Sequence, residues 1–166
     1  MQLILASASP RRKALLSLFG IPFTVRAADI DETMDPEKPP FDEVARVSRS
    51  KALAVSRGEE DIVIAADTIV VCQGKVLGKP HSEAEAASML RLLSGRDHQV
   101  MTGCTILYGD RVETFTEVTS LHFRPPARRR FRNTSRAANP CTRPVLMAFR
   151  AVRRCSAKSW RATIIM

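Results

Sequence analysis

Ile62-Val63-Ile64-Ala65-Ala66-Asp67-Thr68-Ile69-Val70-Val71 is the stretch that decides the fold. It is too rich in β-branched residues and too continuously apolar for a surface helix, and it predicts a central strand covered on both faces. Working outward to the N-terminal side, residues 2–6 predict a short buried strand, and Ser7-Ala8-Ser9-Pro10 a helix start, with Ser9 as the cap and Pro10 in the first helical position. Leu15, Leu18 and Phe19 form the apolar stripe of that helix, and Gly20 ends it. A second strand over 23–27 leads into the acidic loop Asp29-Ile30-Asp31-Glu32-Thr33, a Pro-rich loop over 35–40 and a longer helix over 41–57. On the C-terminal side, Gln73-Gly74 marks a turn, and Ser82 with Glu85 forms a capping box for a helix whose apolar face carries Ala86, Met89, Leu90 and Leu93. Gly95 stops that helix, and strands over 99–108 and 112–123 follow, joined at Gly109-Asp110. Strands alternating with helices predict an α/β architecture.

The chain of 166 residues, 45% apolar and 26% charged, has the composition of a globular domain. Its longest apolar run falls short of the ~18 to 20 residues that span a bilayer, so no membrane association is expected. Four cysteines, at 72, 104, 141 and 155, show neither disulfide-scaffold density nor a Cys-x-x-Cys pair, which fits a reducing cytoplasm. The net charge of +9 is unevenly divided. Residues 1–125 hold 15 Lys and Arg against all 17 Asp and Glu, whereas 126–166 hold 11 basic residues and no acid. The main body is therefore mildly acidic, and the boundary near Pro125-Pro126 separates a domain over 1–125 from an Arg-rich tail over 126–166.

Several residues in the main body are chemically conspicuous. Arg11 and Arg12 occupy the first turn of a helix, where free amides and a partial positive charge disfavour cations unless an anion lies between. Together with Ser7 and Ser9 they would suit a polyphosphate; a solvated basic turn is the plainer reading. Lys51 falls seven residues after Val44 and four after Val47, on the apolar stripe of its helix, so it either snorkels to the edge or meets a charged partner. Asp67 stands inside the decisive strand, or at its C-terminal edge if the strand ends at Ala66. An ionised carboxylate there needs a partner, and strand ends are where open α/β sheets build ligand crevices. With Asp31 or Glu32 it could hold Mg²⁺ or act as a base on water. Lys79 is fixed between Gly78 and Pro80 outside any helix, in what is otherwise a plain turn. His98 and Thr102 share a strand face, and His98 has no second His at metal-ligand spacing, so zinc is not supported.

In order, Ser7-Ala8-Ser9-Pro10-Arg11-Arg12, Asp31-Glu32, Lys51, Ala66-Asp67-Thr68, Gly78-Lys79-Pro80 and Ser94-Gly95-Arg96-Asp97-His98-Gln99-Val100-Met101-Thr102-Gly103 closely resemble the Maf family of nucleoside triphosphate pyrophosphatases, continuously from Leu3 to about Pro125. The double Arg and the Ala-Asp-Thr form resemble its dTTP/UTP subgroup rather than the one preferring 7-methyl-GTP. The resemblance implies a Maf/ITPase-like mixed sheet flanked by helices, and cleavage between the α and β phosphates to a nucleoside monophosphate and pyrophosphate. It implies Asp67 as the proton acceptor that activates water, assisted by Glu32 at a divalent cation, Mg²⁺ or Mn²⁺. It further implies Ser9, Arg12, Lys51 and Lys79 on the triphosphate, Arg11 and Thr68 in pyrimidine preference, and a homodimer.

The tail departs from that pattern. Family members normally continue beyond this length, through Gly-Ala-Tyr-Gly-Ile-Gln-Gly and a later Glu-Gly-Asp-Tyr-Tyr, and neither motif occurs here. Codons for Pro144-Val145-Leu146-Met147-Ala148-Phe149-Arg150-Ala151 can be chosen so that, read from the third base, they give Gly-Ala-Tyr-Gly-Ile-Gln-Gly. In the same frame, Lys158-Ser159-Trp160-Arg161-Ala162-Thr163-Ile164-Ile165 can give Lys-Leu-Glu-Gly-Asp-Tyr-Tyr. The tail therefore reads as an out-of-frame translation from about Pro126, irregular or disordered, lacking a Gln that contacts the base and packing that the sheet and a dimer would use. The alternative takes the basic tail at face value, as an arm that contacts nucleic acid.

Overall fold

The computed structural model describes residues 1–55 and 57–123; the Arg-rich tail and the expectations attached to it lie outside the described residues. Along the chain the elements are β1 (Leu3–Leu5), α1 (Pro10–Ser17), β2 (Thr24–Val25), α2 (Pro40–Ala54), β3 (Ile62–Cys72), β4 (Lys75–Leu77), α3 (Glu83–Leu93), β5 (Asp97–Tyr108) and β6 (Arg111–His122). The strands form a six-stranded sheet in the order β2-β1-β3-β5-β6, with β4 paired to β3 off that path. Pairing of β1 with β2 and with β3 is parallel and that of β3 with β4 antiparallel, so the sheet is mixed.

The decisive stretch is a single strand through Asp67 to Cys72, mostly buried along its length, so it does not end at Ala66. Its apolar side chains are covered on both faces, which is why it carries no period-two alternation. The link to β4 is the two-residue turn expected at Gln73-Gly74, with φ of 52° and 75°. Left-handed conformation at both positions matches the natural twist of a tight hairpin.

The chain divides into two compact units. The first comprises Met1–Thr68 and Met101–Val118. Its core gathers Ile4, Ala6, Ala52, Val55, Val63, Ala65 and Leu107. Here α2 lies directly on β5: a Cβ added at Gly103 would stand 2.3 Å from the Val44 carbonyl oxygen. Gly103 is thus the contact that lets helix backbone and strand backbone meet. Gly103→Ala is expected to lower stability by about 1 to 3 kcal/mol, since even one methyl must displace main chain; urea unfolding followed by circular dichroism measures it.

The second unit holds Ile69–Val100 and the described residues from Thr119 on. Val70, Cys72 and Leu93 make its core, with Leu77, Leu92, Val100 and Phe123 packed against them. Ser82 caps α3 as expected, its Oγ accepting the Glu85 N–H at 3.1 Å, and the Glu85 carboxylate in turn accepts the His81 N–H at 2.7 Å. His98 is buried and meets the Phe123 ring edge-on at 4.3 Å. Burial pushes its pKa down, so it serves as a core histidine.

Two local expectations require correction. The stripe of α1 is not a buried face: Leu15, Leu18 and Phe19 are 63%, 82% and 74% exposed. Helical spacing identifies which side chains share a face but not what covers them, and no residue of this eight-residue helix is buried. Ser9 is the N-cap residue by position, yet its side chain makes no cap hydrogen bond.

Candidate active site

The site forms where β1 stops and β3 runs on. The register between them ends at Leu5 and Ile64, and one further bond, from Ala6 N–H to the Ile64 carbonyl at 2.8 Å, closes it. Beyond this point the chain leaves the sheet through Ser7 and Ser9, both buried, and enters α1. Asp67 and Thr68 therefore lie alongside the C-terminal end of β1, the position at which parallel sheets open a crevice. Asp67 and Thr68 thus stand within β3, beyond the last paired residue of β1, and not at the end of β3.

Successive strand side chains point to opposite faces, and both are used here. On one face α2 delivers Lys51, whose Nζ lies 2.7 Å from Asp67 Oδ1 and 3.0 Å from Glu32 Oε1. Of the two options for Lys51, the charged partner is the correct one. Its side chain is 8% exposed and that of Asp67 13%, so neither charge is solvated well enough to stand alone. Glu32 is about half exposed and reaches the ammonium from the acidic loop.

On the other face α1 delivers Arg12. Its Nη1 donates to Ser7 Oγ at 3.1 Å and its Nη2 to Thr68 Oγ1 at 3.2 Å. Thr68 Oγ1 also shares a hydrogen bond with Thr102 Oγ1 of β5 at 3.1 Å. Ser7 Oγ additionally accepts the Ser9 N–H at 3.2 Å, which shapes the turn entering the helix. The first turn of α1 contains no acidic residue, so its two arginines are not balanced within the helix.

The loop that carries Glu32 is tied to α2 by a clamp. Glu43, with a 3% exposed side chain, accepts Arg46 Nε at 2.9 Å and Nη2 at 2.8 Å, and also the Asp35 N–H at 2.9 Å. Arg46 Nη2 in turn donates to the Thr33 carbonyl at 2.8 Å, one residue from Glu32. The Arg46 bonds first, and the Asp35 amide second, hold the Glu43 carboxyl down to about 2 from its ordinary 4.5. A depressed carboxyl contributes stability that is complete above its unfolded value and is lost as pH falls through the folded one. Stability should therefore fall between about pH 4.5 and 2, and Glu43→Gln should flatten that segment of a urea-midpoint against pH curve. Sequence reading passed over this pair, although Glu43 and Arg46 stand at helical i, i+3 spacing, which was the available signal.

Of the residues singled out from sequence, Ser7, Arg12, Glu32, Lys51, Asp67 and Thr68 enter these two contact networks. Ser9 lies at the turn between β1 and α1, and Arg11 is exposed on the first turn of α1. Asp31 accepts the Thr33 N–H at 2.8 Å and shapes the loop instead of joining Asp67. Lys79 belongs to the second unit, on the exposed stretch between β4 and α3. Thr102, noted from sequence only for sharing a face with His98, is the addition the structure makes. Among the described residues no group of three or more His, Cys, Asp or Glu side chains is arranged to hold a metal ion, and no helix is long and apolar enough to cross a membrane.

The family model described as Maf-like protein matches residues 2–143. The chain is 52% identical over 124 residues to a dTTP/UTP pyrophosphatase of Halalkalibacterium halodurans, covering 74% of this chain and 65% of that one. It is 46% identical over 123 residues to a dTTP/UTP pyrophosphatase of Bacillus cereus strain AH820, covering 74% and 64%. The chain thus spans a little under two thirds of the length of the curated relatives it matches. Among solved structures, a HAM1 protein from Coxiella burnetii superposes with a TM-score of 0.48 at 16% identity, covering 72% of this chain and 71% of that one. The Staphylococcus aureus Ham1 protein does so with a TM-score of 0.45 at 17% identity, covering 72% and 70%.

Proposed function

The chain belongs to the Maf-like family, and from that premise we propose that it is a nucleoside triphosphate pyrophosphatase acting on dTTP and UTP. The observation that carries the reading is the convergence of Asp67 and Glu32 on one buried ammonium, Lys51, beside the Arg12–Thr68 contact at the end of β1. A carboxylate, an ammonium and a guanidinium are the parts that water attack on a phosphoanhydride requires. The names of the matched relatives support the choice of dTTP and UTP.

In this reading Asp67 accepts a proton from the attacking water as its oxygen bonds to the α-phosphorus. The bond from that phosphorus to the bridging oxygen breaks, and pyrophosphate leaves. Arg12, Ser9, Lys51 and Lys79 bind the triphosphate, and Arg11 and Thr68 act in pyrimidine preference. Lys51 is held between two carboxylates, and its transfer to a phosphate oxygen would release Asp67 to take the proton. Asp67 and Glu32 also suit a divalent cation, Mg²⁺ or Mn²⁺, since such ions are held by one or two carboxylates together with substrate phosphates. When bound, that cation supplies charge neutralisation to the phosphates. The proposal extends to a cytoplasmic homodimer.

Pyrophosphate release from dTTP, UTP, CTP and GTP tests the reading, on the chain as written and on a frame-restored chain. Turnover of dTTP and UTP above CTP and GTP is the expected result. Absence of pyrophosphate release from every nucleotide by both chains would overturn it.

A further inference from the structure

One helix both anchors the acidic loop and receives its carboxylate. From α2, Arg46 Nη2 donates to the Thr33 carbonyl at 2.8 Å, Glu43 Oε2 accepts the Asp35 N–H at 2.9 Å, and Lys51 Nζ lies 3.0 Å from Glu32 Oε1. Within the loop, Asp31 Oδ1 accepts the Thr33 N–H at 2.8 Å. Both main-chain polar groups of Thr33, the residue that follows Glu32, are therefore held, one by Asp31 and the other by Arg46. Arg46 can act as a firm anchor because its own guanidinium is gripped by Glu43 through two bonds, at 2.9 and 2.8 Å. Glu32 needs such help. Its side chain is about half exposed, and an ion pair of that kind contributes too little to hold a loop against the entropy of releasing it.

We infer that Arg46 is a positioning residue for the proposed reaction: by fixing the Thr33 carbonyl it keeps Glu32 on Lys51, so that two carboxylates share the ammonium beside Asp67. The inference rests on the reading of Asp67, Glu32 and Lys51 as the reacting cluster and deepens it. With the loop released, Lys51 is left to Asp67, and the carboxylate that is to receive the water proton becomes the counter-ion of a buried ammonium. The triphosphate contacts assigned to Arg12 and Lys79 lie elsewhere and are untouched. The loss therefore falls on kcat and not on KM.

Arg46→Gln makes the test, because the glutamine amide nitrogen stands where Nε does and keeps a bond to Glu43 Oε1, while both bonds of Nη2 are lost. Hydrogen exchange over residues 31–35, with kcat and KM for dTTP, is measured in the full chain and in the frame-restored chain, each with Arg46→Gln, Glu32→Gln and both together. Exchange over 31–35 should quicken while that of β3 holds, and kcat should fall about tenfold with KM within about twofold. The double variant should stay within about twofold of Glu32→Gln alone, since a residue that acts through Glu32 then has nothing left to position. A merely structural role would lower the thermal midpoint and either leave the kcat of folded protein unchanged or multiply its loss onto that of Glu32→Gln. Either result, or unaltered exchange over the loop, overturns the role of Arg46 and leaves the functional reading standing. Should Arg46→Gln fail to fold with the Glu43 charge stranded, adding Glu43→Gln removes that charge and the same comparisons are made on that background. Turnover by neither starting chain overturns the functional reading, and this inference with it.

Discussion

Asp67→Asn is expected to cut pyrophosphate release on the order of a hundredfold or more, with the fold intact. A hundredfold loss is about 2.7 kcal/mol of barrier, within the range that one general base contributes. Asparagine occupies the same volume and keeps an oxygen to accept from Lys51 Nζ, now 2.7 Å from Asp67 Oδ1, while Glu32 at 3.0 Å still balances the ammonium. What the amide cannot do is take a proton from water. The substitution therefore separates two roles that a buried carboxylate beside a lysine can have. If Asp67 serves only as the counter-ion of Lys51, Asn should leave turnover unchanged and lower the unfolding midpoint. If it is the base, turnover collapses while circular dichroism and the midpoint move little. Full activity in Asp67→Asn would remove Asp67 from the chemistry, and the proposed mechanism with it.

The sheet was legible because its central strand advertises itself. A run of Ile, Val and Ala broken only by Asp67-Thr68 cannot be a solvated helix, and the turn signals at Gln73-Gly74, Gly95 and Gly109 fall where positive φ is observed. Spacing also placed Lys51 on the wrong face for a lysine, and that anomaly led to the most informative contact in the molecule. The remainder was hidden for identifiable reasons. Periodicity reports which residues of a helix share a side, so Leu15, Leu18 and Phe19 read as core although none is covered. The sequence left Asp67 either inside the strand or at its edge, because the choice depends on how far β3 runs past the last paired residue of β1, which exists only in their pairing. Thr102 carried no local signal: a threonine in a strand is ordinary, and its meaning comes from Thr68, 34 residues away.

Lys51→Met is expected to be the most destabilising single change near the site, at about 3 to 5 kcal/mol near neutral pH. Methionine fits the volume and suits the apolar stripe that Val44 and Val47 begin, so the cost comes from what is left behind. Asp67, with a side chain 13% exposed, would keep its charge and lose the ammonium, whereas Glu32 at 46% exposure can turn to water. The double variant Lys51→Met, Asp67→Leu removes both charges and should recover most of the loss, because a buried ion pair replaced by apolar groups of similar volume is commonly neutral or better. Urea midpoints for the two single variants and the double one give the coupling directly. A near-zero coupling would mean that the contact adds nothing to the folded state. Recovery of stability in a double variant that remains inactive is the expected result: it assigns retention of this ion pair to the chemistry it supports and not to the stability it confers.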